Sequence, residues 1–173
     1  MSKKVFVFDI ETLSNCFTYT GIDRDSDDVV KFVIWKEKNE IYELLTHLSN
    51  CSGQIGFNNL NFDYPVIHYI IKERNKLVQL DGDKIAKLIY KKAQSVISQE
   101  YSVIKESEVV IPQLDLFRIW HYDNKARMTG LKKLEIAMNF PNVQDMPYSH
   151  EHKIKTEKEV EEILDYNLND VEA

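Results

Sequence analysis

The stretch KVFVFDIETL, residues 4–13, decides how the rest of the chain is read. Five mostly apolar residues run directly into Asp9 and Glu11, with Ile10 between them and Thr12 and Leu13 behind. An apolar run of this kind reads as a buried β-strand, and carboxylates are costly to place where such a strand ends. Consecutive strand residues point to opposite faces, so Asp9 and Glu11, two apart, share one. Like charges held that close repel, and each resists ionising unless something positive lies between them. Magnesium or manganese suits hard oxygen ligands of this type. Taken alone, the pair reads first as a strand-end turn that caps the next element.

Working outward, NCFTYTGI (15–22) and DVVKFVIW (28–35) predict two more strands, with Gly21 and the polar DRDSDD (23–28) as their turn. The three form an antiparallel meander. The period then changes. In NEIYELLTHLSN (39–50), Ile41, Leu44, Leu45 and Leu48 fall at helical spacing. GQIGFNN (53–59) predicts a short strand and loop, and DYPVIHYIIKER (63–74) a helix with Pro65 in its first turn. DKIAKLIYKKAQSVISQE (83–100) is a second amphipathic helix, and SEVVIPQLDLF (107–117) a strand ending at Asp115. TGLKKLEIAMNF (129–140) and TEKEVEEILDYNLNDVEA (156–173) are two more helices. Strands followed by alternating helix and strand predict an α/β domain with a mixed five-stranded sheet covered on both faces. Ligands of open α/β sheets gather beyond the carboxyl ends of the strands, which is where the reading puts Asp9 and Glu11.

The chain has 173 residues, enough for one domain with a sizeable core. No repeat or linker divides it, so residues 1–173 read as a single domain. Its net charge of −6 argues against gripping nucleic acid by bulk electrostatics. It leaves open a grip through bound cations, which reverse the local sign of a carboxylate cluster. No apolar stretch is long enough for a membrane span, and the N-terminus lacks the layout of a signal peptide. Cys16 and Cys51 suggest no disulfide framework and fit a reducing, cytoplasmic setting.

Two further segments bear on the acids. GFNNLNFDYP (56–65) places Asp63 after Phe62, with Asn58 and Asn59 shortly before. By itself Asp63 reads as a helix N-cap. YNLND (166–170) spaces Tyr166 and Asp170 four apart on a helix, hence on one face. A stripe of Val160, Leu164, Leu168 and Val171 is the expected buried side of that helix.

Together and in this order, DIET, GFNNLNFDYP and YNLND resemble the three motifs of the DEDD (DnaQ-like) 3′–5′ exonuclease superfamily, in its tyrosine-bearing branch. The second motif is most similar to that of the proofreading exonuclease domains of B-family DNA polymerases, through Gly56, Phe57, Asn58, Phe62, Asp63 and Pro65. The resemblance spans Asp9 to Asp170 and implies a ribonuclease-H-like fold. It implies two divalent cations, Mg2+ or Mn2+, held by Asp9, Glu11, Asp63 and Asp170, with Asp9 bridging both. Tyr166 takes the place of a group that orients the attacking water; with an ordinary tyrosine pKa near 10, orienting is favoured over proton abstraction. Thr12 and Leu13 are implied to meet the terminal sugar and base. Asn58 and Phe62 are candidates for contacts to the strand, Phe62 through base stacking unless it belongs to the core.

The implied reaction is stepwise hydrolysis of a single DNA strand from its 3′ end, releasing nucleoside 5′-monophosphates. RNA is an alternative substrate, because the distinction rests on contacts to one 2′-hydroxyl. A polymerase domain, in the same chain or a partner polypeptide, is the implied associate, and a nucleoid or intracellular viral or phage replication the implied setting. In LFRIWHYDNKARM (116–128), Arg118, Lys125 and Arg127 could follow a phosphate backbone, with Trp120 assigned to the core. Asp115 is assigned to a helix cap. Because the chain ends three residues after Asp170, a natural continuation beyond residue 173 is expected. Two rivals remain. The opening stretch is similar to that of haloacid-dehalogenase-like phosphatases, although their second acid is Asp and here stands Glu11. The other rival is a non-catalytic nucleic-acid-binding module of the same fold.

Overall fold

The computed structural model describes residues 4–98, 104–123 and 128–173. Its centre is a six-stranded open sheet in the order β4-β3-β2-β1-β5-β6. The first four strands, β1 (Lys4–Leu13), β2 (Cys16–Asp23), β3 (Val29–Trp35) and β4 (Lys38–Asn39), form the antiparallel meander. Two strands, β5 (Cys51–Gly56) and β6 (Gln113–Asp115), then add parallel to β1. The architecture is α/β with a mixed sheet flanked by helices.

Several expectations are corrected. The sheet has six strands rather than five, because the two-residue β4 pairs with the end of β3; so short a piece has no periodicity to read. The strand expected over 107–117 shrinks to Gln113–Asp115, with a 3₁₀ turn at Glu106–Glu108. Pro112, which has no N–H for a ladder, stands just before it and contributes only its carbonyl, accepting from the Gln54 amide at 2.9 Å. Gly21 lies inside β2 rather than in the turn. Moreover, β1 does not end at its acids: it runs on through Leu13.

The helices are α1 (Ile41–Asn50), α2 (Asp63–Lys72), α3 (Arg74–Leu77), α4 (Gly82–Ser98), α5 (Leu116–Trp120), α6 (Leu131–Ala137) and α7 (Glu157–Glu172). Residues 99 and 100, expected to extend α4, lie outside the described residues. Along β1 the pleat sends Phe6, Phe8 and Ile10 into the main core, where they meet Leu44 and Leu48 of α1, Ile67 and Ile70 of α2, and Ile85 and Ile89 of α4. The alternate residues Asp9 and Glu11 face α7. A second cluster packs Leu13, Cys16, Val33 and Trp35 against Ile154, Val160 and Ile163. Among the described residues, no helix is long and apolar enough to cross a membrane.

Helix α7 begins with a capping box. Thr156 Oγ1 accepts from the Glu159 amide at 3.3 Å, and the Glu159 carboxylate accepts from the Thr156 amide at 2.9 Å. The buried stripe of α7 is Val160, Ile163, Asn167 and Val171, with Tyr166 and Asn169 also buried. Leu164 and Leu168, expected there, are only half-buried. The helix is rotated relative to the apolar stripe because Asn167 takes a core-facing place.

Candidate metal centre

Asp9 and Glu11 lie opposite Thr20 and Thr18 of β2. On its other edge β1 pairs with β5 only as far as Val7, so both acids stand where the parallel neighbour has stopped. Into that gap comes the loop after β5. Gly56 leaves it no room for a side chain: a Cβ there would stand 2.8 Å from Asn59 Cβ and 3.3 Å from the Phe8 carbonyl oxygen. Asn58 then takes a left-handed conformation (φ 60°), which asparagine tolerates better than most residues. Its amide donates to Asp115 Oδ1 at 2.8 Å, and the Leu60 amide donates to Asp115 Oδ2 at 3.3 Å. The loop delivers Asp63 as the first residue of α2, with Phe62 rather than Asp63 at the N-cap. A carboxylate in the first helical turn is favoured by the helix dipole.

From the other side of the sheet α7 brings Asp170. Carboxylate oxygens of Asp9, Glu11 and Asp170 all lie within 4.8 Å of one another. Asp63 stands outside that group of three, yet its charge acts on both Asp9 and Glu11. The oxygen set fits a hard divalent cation, which gathers carboxylates at about 2.0–2.6 Å.

The electrostatics are those of acids crowded together. Burial raises Asp9 well above the usual carboxylate range, and the charges of Asp63, Glu11 and Asp170 push the same way. Glu11 is pushed up to about 8, by burial first and then by Asp170 and Asp63. Asp63 rises to about 7 through burial, although its own amide and that of Ile10 pull it back. Asp170 is raised by burial while a hydrogen bond from Tyr166 and the Lys132 ammonium oppose the rise. The Tyr166 phenol is raised far above its ordinary value, by burial and then by the Asp170 charge.

Three residues at this site are not among the candidates read from the sequence, although Asn167 lies inside YNLND. Asn167 is wholly buried and donates its Nδ2 to Asp9 Oδ2 at 2.5 Å, while Thr18 donates to its Oδ1 at 3.4 Å. A helical asparagine reads as solvated surface, and its partner is far away in the sequence. Lys132 of α6 places its Nζ 5.8 Å from the centre of the Tyr166 ring and 2.6 Å from Asp145 Oδ1. Its charge opposes the rise of Glu11 and Asp170. Glu135, one turn further along α6, is buried beside them.

The expected strand-contact residues divide. Thr12 is buried, and Leu13 has no exposed surface. Leu13 packs among Cys16, Trp35 and Ile163, which corrects the expectation that its side chain meets a base: β1 continues through it into the second core. Phe62 is half-buried and leans on the main core. The Asn58 side chain is engaged within its loop, accepting from Asn61 at 2.6 Å. Asp115 caps α5 as expected, accepting from the Phe117 amide at 3.0 Å, and anchors the Asn58 loop as well.

Trp120 is 58% exposed rather than core. Phe117 and His121 take the inward side of α5, where Phe117 meets the Phe57 ring edge-on, and Trp120 is left outside. Arg118 reaches Asn61 Oδ1 at 3.4 Å and Asp115 at 3.8 Å. Lys125 and Arg127 lie outside the described residues.

Comparisons of the chain with protein-family models, with curated proteins and with solved structures found no match.

Proposed function

We propose that the chain is a 3′–5′ exonuclease of ribonuclease-H-like fold that hydrolyses single-stranded nucleic acid, DNA in the first instance, with two divalent cations, Mg2+ or Mn2+. The observation that carries the reading is the convergence of Asp9, Glu11 and Asp170, with Asp63 beside them, from three distant segments. Crowding four acids together, Asp63 buried and the other three half-buried, is costly for a fold, and a protein that only needed stability would fill this position with apolar side chains. The rival reading as a haloacid-dehalogenase-like phosphatase rests on the opening stretch alone, and there Glu11 stands where that motif has Asp. A non-catalytic module has no use for the acids at all.

Bound at this site, divalent cations supply acidity to an attacking water and neutralise charge on the phosphodiester. The chain's own residues set the geometry. Asp9 is central, its orientation fixed by the Asn167 amide. Glu11 and Asp170 face each other across the helix–sheet seam. Asp63 completes the set from the α2 terminus, as the ligand for the second ion. Tyr166 keeps its proton at neutral pH, since burial and neighbouring carboxylates oppose its ionisation. It therefore acts as a hydrogen-bonding group that orients water and not as a base. A strand end enters beside the Asn58 loop, where Thr12 and Phe62 border the acids. A polymerase domain, in the same chain or a separate one, is the partner that such an activity serves.

Incubation with end-labelled single-stranded DNA and RNA, with Mg2+ or Mn2+, tests the reading. Stepwise shortening from the 3′ end with release of 5′-monophosphates is expected, and Asp9→Ala should abolish it while the circular dichroism spectrum is unchanged. Undiminished digestion by Asp9→Ala, or no digestion of either polymer by the wild type, refutes the proposal.

A further inference from the structure

Helix α6 buries an acid. Of its seven residues only an acid, Glu135, is buried, at 3% exposure, whereas its neighbour Ile136 is 65% exposed. A helix packed for stability turns its apolar stripe inward and its charges outward. Both carboxylate oxygens of Glu135 are shut off from solvent, and neither has a hydrogen-bond partner among the described residues. An unpartnered buried carboxylate is among the most expensive groups a fold can hold. The Lys132 ammonium, one turn earlier, offsets only part of this charge.

The surroundings of Glu135 point in one direction. Asp170 is near enough for the two charges to repel. Lys132, one turn earlier on α6, holds this helix against the Tyr166 ring on the Asp170 face of α7. Asn169, next to Asp170, lends its amide to hold the Asp170 carboxyl down, while its Oδ1 accepts from Asn142 at 2.9 Å. The seam between α6 and α7 thus holds an unsatisfied carboxylate beside the acid cluster. Such a group fits a site for a hydrated ion better than it fits protein packing.

We infer that Glu135 is a fifth carboxylate of the cation site, brought in from α6 beside Asp170, and that it serves the divalent cation held by Glu11 and Asp170. The inference rests on the cation-site reading given above. It adds a ligand group from a segment that none of the three motifs contains.

Manganese binding by calorimetry tests it, on the wild type, Asp9→Asn and Glu135→Gln, with each protein also melted in EDTA. Glu135→Gln is expected to melt in EDTA at or above the wild-type temperature, since a buried unpaired charge has gone. It is also expected to bind manganese roughly tenfold more weakly or worse, the usual effect of removing a group that supports a metal site. Wild-type manganese affinity in a folded Glu135→Gln overturns the inference. Should that variant fail to fold, Glu135→Asp takes its place, keeping the charge but drawing it back by one methylene, under the same criterion. Failure of both to fold makes Glu135 a structural residue and also overturns it. If the wild type binds manganese, Asp9→Asn does not, and Glu135→Gln binds normally, this inference alone fails. If the wild type and Asp9→Asn bind equally or not at all, the cation-site reading fails with it.

Discussion

With divalent ions removed, raising the pH from about 6.5 to about 8 should destabilise the protein, by an amount the acid cluster sets. Glu11, pushed up to about 8, and Asp63, raised to about 7, hold protons in the native chain that the unfolded chain has already released, its carboxyls titrating at the ordinary values of 4.5 and 3.8, and Asp9, raised well above that range, acts in the same sense. Where the native state binds more protons, stability falls as pH rises. The penalty is absent below the unfolded values and complete above the native ones. Each such proton is worth about 1.4 kcal/mol per pH unit. With Glu11 half-titrated at the top of this window and Asp63 titrating inside it, the loss is about 2 kcal/mol, or roughly 4–8 °C in Tm for a chain of this size.

Below that window a second group competes. His47, which burial lowers to about 4, is neutral in the native chain while the unfolded chain protonates from 6.5 downward, so its contribution to stability rises with pH up to that point. Glu159, lowered to about 2 chiefly by the Lys155 amide, acts in the same sense as His47, but only below its ordinary value of 4.5. The profile in EDTA therefore has its maximum between about pH 4 and 5, where these opposing groups balance, and falls above it. Thermal unfolding by circular dichroism across this range is the assay. Millimolar Mn2+ should remove most of the fall at about pH 8 and add little at about pH 5, where the acids keep their protons. A flat EDTA profile above pH 6.5, or an equal gain from Mn2+ at both ends, would show that the cluster is not buried and crowded as described.

Three further outcomes follow from particular contacts. Thr156→Ala removes the cap of the helix that carries Asp170 and should cost about 1 kcal/mol in urea unfolding; a change no larger than experimental error would mean that Glu159 alone holds the helix start. Asp115→Ala leaves the amides of Asn58, Leu60 and Phe117 without their acceptor. A loss of roughly 3 kcal/mol is expected, with faster hydrogen exchange at those amides, and unchanged protection there would contradict the anchoring role. Asn167→Ala removes the donor to Asp9 and should weaken Mn2+ binding by roughly tenfold, read by calorimetry; equal affinity would reduce Asn167 to packing.

The sequence made legible what depends on short-range periodicity. The strand that leads into Asp9 and Glu11 follows from its apolar run and their shared face from alternation, and α1, α2, α4 and α7 from helical spacing. Asp63 and Asp170 could be joined to Asp9 and Glu11 only through their order in a family-like pattern, since each alone has an ordinary structural use. What stayed hidden depends on tertiary context. Asn167 meets a partner 158 positions away, and no local signal distinguishes it from a solvated asparagine. Glu135 sits on an amphipathic helix whose apolar side reads as the buried one, yet the fold buries the acid. Trp120 was drawn toward the core by its size, but a five-residue helix has one inward face and Phe117 and His121 occupy it. Leu13 was read as lying beyond a strand that in fact continues through it.

The placement of the acids also has a cause in the sheet itself. An antiparallel partner and a parallel partner need not end together, and here β2 follows β1 to Leu13 while β5 leaves it after Val7. The overhang leaves one edge of β1 open at the positions of Asp9 and Glu11, and Asp63 stands against the Ile10 amide in that opening. On the other face α7 crosses the strands and closes the opposite side with Asp170 and Asn167. Had β5 run two residues further, the Asn58 loop could not reach this place and Asp63 would be carried away from Asp9. Gly56 enforces the early stop, because any side chain there collides with the loop that turns back. Thus the residue that ends β5 and the residues that hold the charge belong to one device, and Gly56→Val should lower thermal stability and Mn2+ affinity together, a joint loss that a purely local defect at the loop would not produce.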